Sequence, residues 1–585
     1  MPGTATFYNM DINKNSARSV SIASGDTVVL EGNLNLTTGY FNQGTIEVKG
    51  DVIVGSDFEQ DGDGVILFNG TSQQTIYNTG ANTNIIAEAQ ISNSAGVQLN
   101  DSIVFSNVTI NSNAILDLNG NDLTVNNTFT NNGTLKLTGD ETVSTPTLNS
   151  GSTVEYTATS GTRDIKDWTY TNSTLKINGS GGTFTLPSAL TCTNLEIDAG
   201  TLDLAGYNAT ISNSFTVANG STLKLQGGET VSTPTLNSGS TVEYTGTAGP
   251  YTVKDWTYHH LTFNGAGGIF NISSPIDVNG NFTITNGTVN ATSNINVAGN
   301  WSNSGTFTQT SGTTTFDGTN QSITGNNTFY GFNKTTTTAE TLTFDNTATQ
   351  TITNNLTLQG ASGNLLSLRS DLDGNQWGLI YNGTDENQTI TYVDVKDSDA
   401  SGGNQIKPNL STCTDSGNNI NWLFDSTPPV PTITSVGGDN SSPWSTSDTT
   451  PQITLTLNEN GDCRASLTDE SYDAMSDDID CTGDGTQNIT CQMGTISEGA
   501  SQHIYIACKD SYNNKDTAAT NEDITVEIDA TPPTTSNHNP SDGSTITDTT
   551  PTITFNTNEI GDCRASLTDE SYDAMSDDID CTGDG

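Results

Sequence analysis

Three acidic stretches are the parts of this sequence whose residue types and spacing could bind a metal ion. They read "DFEQDGDG", "DLDGN" and "DDIDCTGDG", and each places aspartates next to turn-forming glycines. Hard carboxylate oxygens at this spacing suit calcium, although none of the three matches a complete EF-hand loop. The alternative is that they are solvated turns. The candidate ligands are Asp57, Asp61, Asp63, Asp371, Asp373, Asp477 and Asp480.

Cysteines are the second group with chemical potential. Four of the eight lie close together in the chain, at Cys463, Cys481, Cys491 and Cys508, and four cysteines allow three pairings. The sequence has no C-x-x-C pair, which disfavours zinc. Disulfides are therefore predicted, and they indicate an oxidising, extracellular compartment. Cys192 and Cys413 are predicted to be a buried thiol and a loop thiol.

Catalysis on a polysaccharide would require paired carboxylates, or a base near an acidic cluster. The two adjacent histidines, His259 and His260, lie in an alternating segment that should direct them to opposite faces of a strand. The basic residues of the first 425 positions are few and scattered, which predicts a structural role and no catalytic site. They include Lys136, Arg163, Lys166, Lys176, Lys224 and Lys254.

Composition narrows the classes of partner. The 585 residues include 66 acids and 17 bases, so the formal charge is −49. This charge argues against nucleic acid, because phosphate binding needs clustered lysine and arginine. No apolar run of 18 residues predicts a membrane span. The first residues do not resemble a signal peptide, so for an extracellular protein we expect a trimmed or missing leader.

A repeat of about 20 residues organises the first 425 positions. Short alternating pairs such as Leu116/Leu118, Leu135/Leu137 and Val154/Tyr156 recur every 19 to 21 residues, separated by glycine-containing turns. Alternation marks strands with one buried face. A strand and turn unit repeated without helices is typical of a parallel β-helix, which needs only a narrow apolar core. The alternative is a string of small β-sandwiches.

A larger duplication lies within this array. The segment "ETVSTPTLNSGSTVEYT" begins at Glu141 and again at Glu229, and "KDWTY" follows each copy with the same offset of 88 residues. The duplicated blocks are predicted at about 134–221 and 222–309. Each would supply four turns of a β-helix, and about 20 turns at 4.8 Å each would give a rod of roughly 100 Å.

Several segments of this array resemble the repeats of large β-helical surface proteins of bacteria and archaea. The likeness is carried by "GTFTQTSGTTTFDGTNQSITGNNTFYGFN", "ILDLNGNDLTV" and "TLDLAGYNATI". It covers most of residues 30 to 400 and implies an architecture more than an activity. The expected fold class is therefore all-β, with a parallel β-helix in residues 1–425.

The sequence changes character at "FDSTPPVPTI" and again at "IDATPPTTSN". A 25-residue sequence, "GDCRASLTDESYDAMSDDIDCTGDG", follows both at a spacing of 100 residues. These units resemble the tandem Ig-like modules of prokaryotic surface proteins that open on Thr-Pro-Pro. The resemblance implies an Ig-like β-sandwich at 426–530 and an incomplete one at 531–585, and we expect the natural protein to continue with further modules.

The resemblance also implies the cysteine pairing. The "CRAS" and "CKDSYN" segments match the family's early and late strands, which favours Cys463 with Cys508 and leaves Cys481 with Cys491. Cys563 and Cys581 would lack such partners. Acids beside the module joints, Asp425 and Asp529 with Glu459, could stiffen those joints around an ion.

The predicted function is structural and adhesive, without enzymatic activity. A β-helical rod on Ig-like modules would stand outside the cell or on its surface and contact glycans, other cells or neighbouring copies. One alternative is a polysaccharide-active β-helix, a lyase or hydrolase. Another is an S-layer or filament subunit. Calcium is the only cofactor that the sequence suggests.

Overall fold

The chain forms two compact units, Met1–Phe424 and Asp425–Gly585. The computed structural model describes residues 3–14, 18–58, 63–80, 85–425, 427–510, 513–577 and 579–583. Strands account for 54% of it and helices for 2%, and the stacked parallel strands form a β-solenoid of about 20 turns. The all-β prediction and the parallel β-helix are confirmed. The Ig-like assignment of the second unit stays a prediction.

The solenoid winds so that each strand pairs in parallel with a strand of the next turn. Eight strands form one sheet: Thr4–Phe7, Thr27–Leu30, Thr45–Val48, Val65–Phe68, Ile85–Ile91, Ile103–Ile110, Leu123–Asn131 and Thr147–Leu148. The remaining solenoid strands are Met10–Asn13, Ser19–Ser21, Leu34–Gln43, Val52–Phe58, Gln74–Asn78, Val97–Leu99, Ile115–Asp117, Thr134–Leu137, Thr153–Tyr156, Thr162–Asp164, Tyr170–Thr185, Leu190–Asp203, Ala209–Val217, Thr222–Leu225, Thr235–Leu236, Thr241–Tyr244, Tyr251–Thr252, Thr257–Tyr258, His260–Ile272, Ile276–Val278, Phe282–Ala291, Ile295–Val297, Trp301–Asn303, Thr306–Gln309, Thr313–Phe316, Ser322–Thr324, Asn327–Thr335, Glu340–Phe344, Thr349–Gln359, Leu366–Ser370, Trp377–Tyr381, Gln388–Thr391, Val393–Val395, Ser398–Asp399 and Thr414–Asp415.

Apolar ladders along the solenoid axis build its core. Leu116 pairs with Leu135, which pairs with Val154, and the ladder continues through Leu175 to Leu195. All five side chains are buried. Because alternate residues of a strand point inward, each turn adds a few apolar side chains to one continuous core. A chain with only 31% hydrophobic residues can therefore still fold.

The solenoid also explains an irregular step in the sequence repeat, from Leu195 to Leu223. Leu195 pairs with Phe215 on the next turn, whereas Leu223 pairs with Leu202. The two leucines therefore belong to different ladders of the same core. A list of apolar pairs along the chain mixes these ladders, because a sequence shows spacing but not which face a strand occupies.

The second unit begins with a seven-stranded sheet, built from Pro431–Val436, Trp444–Thr446, Gln452–Ser466, Ile479–Asp480, Thr486–Gln492, Gly499–Asp510 and Glu522–Ile528. Disulfides join Cys463 to Cys508 and Cys481 to Cys491. These are the two pairs that the family resemblance implied. Two strand pairs follow, Thr535–Asn539 with Thr554–Thr557 and Arg564–Ala565 with Ile579–Asp580. Among the described residues, 3-10 helices span Ala474–Asp477 and Ala574–Asp577 in this unit and Asp385–Asn387 in the solenoid.

The two copies of the 25-residue sequence keep the same local geometry in different surroundings. The guanidinium of Arg464 lies 4.4 Å from the ring centre of Tyr472, and that of Arg564 lies 4.3 Å from Tyr572. The first copy packs into the seven-stranded sheet, where Cys463 is fully buried. In the second copy the equivalent residue, Cys563, is only half-buried. The local geometry therefore follows from the 25 residues, and their burial depends on the strands packed against them.

Candidate functional site

The described aspartates of the three acidic stretches each have their own surroundings. Asp57 and Asp63 are both exposed, and Asp61 lies outside the described residues. Asp371 accepts a hydrogen bond of 2.9 Å from the backbone N–H of Asn346, and Asp373 forms an ion pair with Lys396. In these two loops the described aspartates are either exposed or already bonded to another part of the protein.

The third stretch is engaged in a similar way. Asp480 lies 3.8 Å from the guanidinium of Arg464, across a strand pair. Asp477 ends a short 3-10 helix. None of the six predicted ligands that the structure describes belongs to a group of three metal-binding side chains. Calcium binding by these residues stays a prediction.

A different carboxylate cluster forms in the second unit, from Asp425, Glu459 and Asp510. One oxygen of each lies within 4.8 Å of the others. Asp510 is 4% exposed and accepts hydrogen bonds from the Asn514 backbone N–H at 2.8 Å and its side-chain amide at 2.6 Å. The sequence indicated Asp425 and Glu459 as joint acids but not Asp510. The feature of the sequence that could have indicated Asp510 was its position two residues after Cys508.

Electrostatics in this cluster oppose ionisation of Glu459. Burial raises the pKa of Glu459, the charges of Asp425 and Asp510 raise it further, and a hydrogen bond with Asp425 adds to both. Similarly, burial and Asp529 raise the pKa of Glu559, the equivalent residue 100 positions later. Like charges in close proximity favour a bound proton or cation. The oxygen donors suit calcium, which is the chemistry that this cluster could support.

We expect Glu459→Gln to stabilise the second unit at neutral pH. The pKa of Glu459 is higher in the folded protein than in the unfolded chain, so protonation of this carboxyl favours folding. That contribution to stability is complete below the pKa of the unfolded chain and is lost as the pH rises through the pKa of the folded protein. At pH 7 the amide removes the repulsion and can donate to Asp425, so stability should rise by at most about 1 kcal/mol, because partial exposure screens these charges.

Urea unfolding, followed by hydrogen exchange of peptides from residues 431–528, would measure this effect. The gain in stability should vanish below about pH 4, where the protonated Glu459 side chain and the glutamine that replaces it are both uncharged. The exposed Glu527→Gln is the matched control and should leave stability unchanged at both pH values. A loss of stability at pH 7 in metal-free buffer would contradict the repulsion. Suppression of the gain by calcium would indicate that the ion neutralises the same carboxylates.

The basic residues of the solenoid are used to connect turns. Lys136 pairs with Glu155 at 3.4 Å and Lys224 with Glu243 at 3.2 Å, in equivalent positions of the two duplicated blocks. The other four bases singled out in the sequence contact acids or carbonyl oxygens: Arg163 with Asp140, Lys176 with Asp198, Lys166 with Gly139 and Lys254 with Glu229. Their contacts fit the structural role that the sequence predicted.

The "KDWTY" motif builds the same internal network twice. In the first copy the hydroxyls of Tyr156 and Tyr170 lie 3.3 Å apart, and the backbone N–H of Lys166 donates to the Tyr156 hydroxyl at 2.7 Å. In the second copy Tyr244 and Tyr258 lie 3.2 Å apart. All four rings are buried, and burial raises the pKa of each hydroxyl above its ordinary value. These tyrosines stay protonated and structural at neutral pH.

The adjacent histidines and Cys192 have surroundings that suit a structural role. His259 and His260 contact each other edge to face, with ring centres 4.3 Å apart. The prediction that they occupy opposite faces was wrong, because His259 lies at a bend between two strands and alternation does not extend across it. Cys192 is buried as predicted, and burial raises the pKa of its thiol to about 12, so it is a poor nucleophile at neutral pH.

A polar cleft of about 540 Å³ opens on the solenoid. Its lining includes Asp317, Thr336, Glu340, Gln359, Thr391 and Tyr392. Asp317 is largely exposed, but desolvation by the protein atoms around it raises its pKa, and the charge of Asp277 adds to this effect. Burial opposes ionisation of Glu340, but hydrogen bonds from Lys334 and Thr336 outweigh it and lower the pKa. The sequence singled out none of these residues, because they lie on different turns.

No protein-family model matches this chain. Neither the curated proteins nor the solved structures contain a significant match.

Among the described residues, no helix has the length and apolar character needed to cross a membrane.

Proposed function

We propose that this chain is an extracellular structural and adhesive protein, in which the β-solenoid is a rod that contacts glycans, cells or neighbouring copies. The same chain would also contain modules of Ig-like type with internal disulfides. One observation carries the structural part of the proposal. The 88-residue duplication enters the solenoid as complete turns, so the chain gained length while its core stayed continuous.

Pairing across the duplicated blocks supports this argument. The ladder Leu202–Leu223–Val242–Leu261 crosses from one block to the other without a break in parallel pairing. In each block a buried glutamate accepts backbone N–H groups, Glu141 from Gly139 at 2.7 Å and Glu229 from Gly227 at 2.6 Å. A duplicated motif whose polar groups bond to one another can be added to the stack without creating unpaired groups, so it is suited to lengthening the solenoid. It also leaves few polar groups for catalysis.

An extracellular location is supported by the two disulfides, which persist in oxidising compartments. The net charge of −49 favours partners that do not carry acidic groups. Uncharged glycans meet this condition. A neighbouring copy of the chain would have to offset the like charge, for example through cations.

A polysaccharide-active enzyme is the second candidate. Asp317 and Glu340 line one cleft, and their surroundings move their pKa values in opposite directions. Two carboxyl groups whose pKa values differ in this way act as acid and base in glycoside hydrolysis. Against this role, Glu340 pairs with Lys334 at 2.8 Å and is hydrogen-bonded by Thr336, so its oxygens are already engaged.

The full chain, incubated with immobilised neutral and acidic polysaccharides with and without calcium, would test both candidates. Retention measures adhesion, release of new reducing ends measures cleavage, and light scattering follows self-assembly. Retention without cleavage is the expected result. Cleavage would contradict the structural proposal and favour the enzyme. Ordered assembly without retention would leave a filament or S-layer subunit as the function.

A further inference from the structure

The cleft on the solenoid is built by one corner of four consecutive turns. Parallel pairing places Gln359 beside Thr335, and Thr391 beside Gln359. On the preceding turn, Asp317 follows the strand Thr313–Phe316, whose Thr315 pairs with Asn333. Three spacings of about 4.8 Å between turns give the cleft a length of roughly 14 Å along the axis. This elongated shape fits a short segment of a linear polymer.

One wall of the cleft contains a tyrosine in an unfavourable backbone conformation. Tyr392 has φ of 53°, and among the non-glycine residues with positive φ in the described part of the chain it is the only aromatic one. For a bulky side chain this conformation costs about 1 kcal/mol or more. Its carbonyl would lie 2.3 Å from a Cβ added at Gly360, so the glycine permits this close approach.

Strain of this kind persists where the position of the side chain is useful. Most other non-glycine residues with positive φ are asparagines, which tolerate it at small cost. Tyr392 is half-buried at the cleft wall and does not belong to the buried core of the solenoid. The tyrosine ring offers a flat apolar face with a polar edge, which suits the apolar face of a sugar ring.

The polar groups of the cleft select the type of ligand. Thr336 and Thr338 donate to Glu340 at 2.7 and 3.0 Å, and Lys334, which is buried, neutralises the same carboxylate. Asp317 is exposed. Because the threonine hydroxyls and Lys334 are occupied with Glu340, the Asp317 carboxylate is the acceptor that can meet a ligand bringing hydroxyl donors. A cation is disfavoured, because the lysine already neutralises Glu340, and an acidic ligand would meet Asp317 and the strongly negative chain.

We propose that this cleft is a binding site for an uncharged saccharide, with one sugar ring on Tyr392 and sugar hydroxyls bonded to Asp317 and Gln359. The inference rests on the proposed adhesive function and gives that function a place and a ligand class. It makes Tyr392 the main contact residue. Gly360 and the Lys334–Glu340 pair act as positioning residues that hold the cleft open.

The test is binding of the full chain to cellohexaose, mannohexaose and chitohexaose, measured by calorimetry, with hexagalacturonate as the acidic comparison. At least one uncharged hexamer should bind and hexagalacturonate should not. Tyr392→Asn should weaken that binding about tenfold or more, as truncation of a central aromatic contact does. The same substitution should leave thermal stability unchanged or higher, because asparagine tolerates positive φ. Tyr207→Asn, at an exposed tyrosine elsewhere on the solenoid, is the matched control and should keep full affinity.

Each outcome decides between the proposals. Unchanged affinity in Tyr392→Asn and Asp317→Asn, with binding by the wild type, would overturn the cleft while leaving glycan adhesion in place. Absence of wild-type binding to every uncharged hexamer would overturn both the cleft and adhesion to uncharged glycans. A large loss of stability in Tyr392→Asn would overturn the argument from strain and assign the residue a structural role. Cleavage that Tyr392→Asn abolishes would support the cleft as the saccharide site but contradict a purely adhesive function.

Discussion

Trp301→Ala is expected to destabilise the solenoid by about 4 kcal/mol, the loss typical of removing a large buried aromatic side chain. The Trp301 side chain is fully buried and stacks on Phe282, with ring centres 4.0 Å apart and planes within 5°. It also contacts Phe307 edge to face at 4.7 Å. The substitution would open a cavity inside the apolar ladder, where stacked turns prevent collapse.

The indole N–H adds a second loss. It donates to the side-chain oxygen of Asn327 at 2.8 Å, and Asn327 is itself 3% exposed. That asparagine also bonds Asn303 and Gln350, so it belongs to a buried polar network. Trp301→Phe would keep one aromatic ring in the stack and remove the donor together with part of the indole, for which we expect a smaller loss of about 2 kcal/mol.

Hydrogen exchange in increasing denaturant would locate the effect. Each turn contacts mainly its neighbours, so protection should fall most in the turns around residues 282–329 and less at the far end of the solenoid. Trp168→Ala is the matched control, because Trp168 is only partly buried against the core. Equal losses in the two alanine variants would contradict a dominant role for the buried aromatic cluster.

Removal of the Cys463–Cys508 disulfide should destabilise the second unit by about 4 kcal/mol, and removal of Cys481–Cys491 by about 2.7 kcal/mol. The estimates follow from the chain entropy of loops closed over 45 and 10 residues. Cys463 and Cys508 also lie directly opposite each other on neighbouring antiparallel strands. Their bond therefore joins two central strands of the seven-stranded sheet.

Double alanine variants of each pair, compared by hydrogen exchange of peptides from 431–528, would measure these losses. Peptides from the solenoid provide an internal control, since both disulfides lie in the second unit. Treatment with a reductant should reproduce the double variants and leave the solenoid unchanged. An equal loss for the two pairs would contradict the loop-length argument and indicate that local packing of the cysteines determines their contribution.

The ladders show what periodicity can predict. The repeat from Leu116 to Leu195 predicted both the strands and their buried face, because alternation in a strand is a local property of the backbone. The displaced step at Leu223 was not interpretable from spacing alone, because assigning strands to faces requires the path of each turn. The histidine pair failed for a related reason, since a single bend at His259 ends the alternation.

Candidate sites were harder to predict than the fold. Aspartates that are close in sequence, such as Asp371 and Asp373, end up with separate partners. The carboxylates that do meet, Glu459 and Asp510, are 51 positions apart in the chain and lie on adjacent strands of one sheet. The cleft likewise gathers residues from Asp317 to Tyr392. Tertiary proximity of this kind has no signature in local composition.

The sequence by itself determined that this protein is all-β, that its first part stacks parallel turns, and that a duplicated block lengthens the stack. These properties depend on alternation, turn residues and repeat spacing, which act over a few residues. Only the tertiary structure decided which ladder each strand joins, which carboxylates repel one another, and that a strained Tyr392 borders a polar cleft. Those features depend on stacking one turn on the next, which brings residues 20 or more positions apart to within 5 Å.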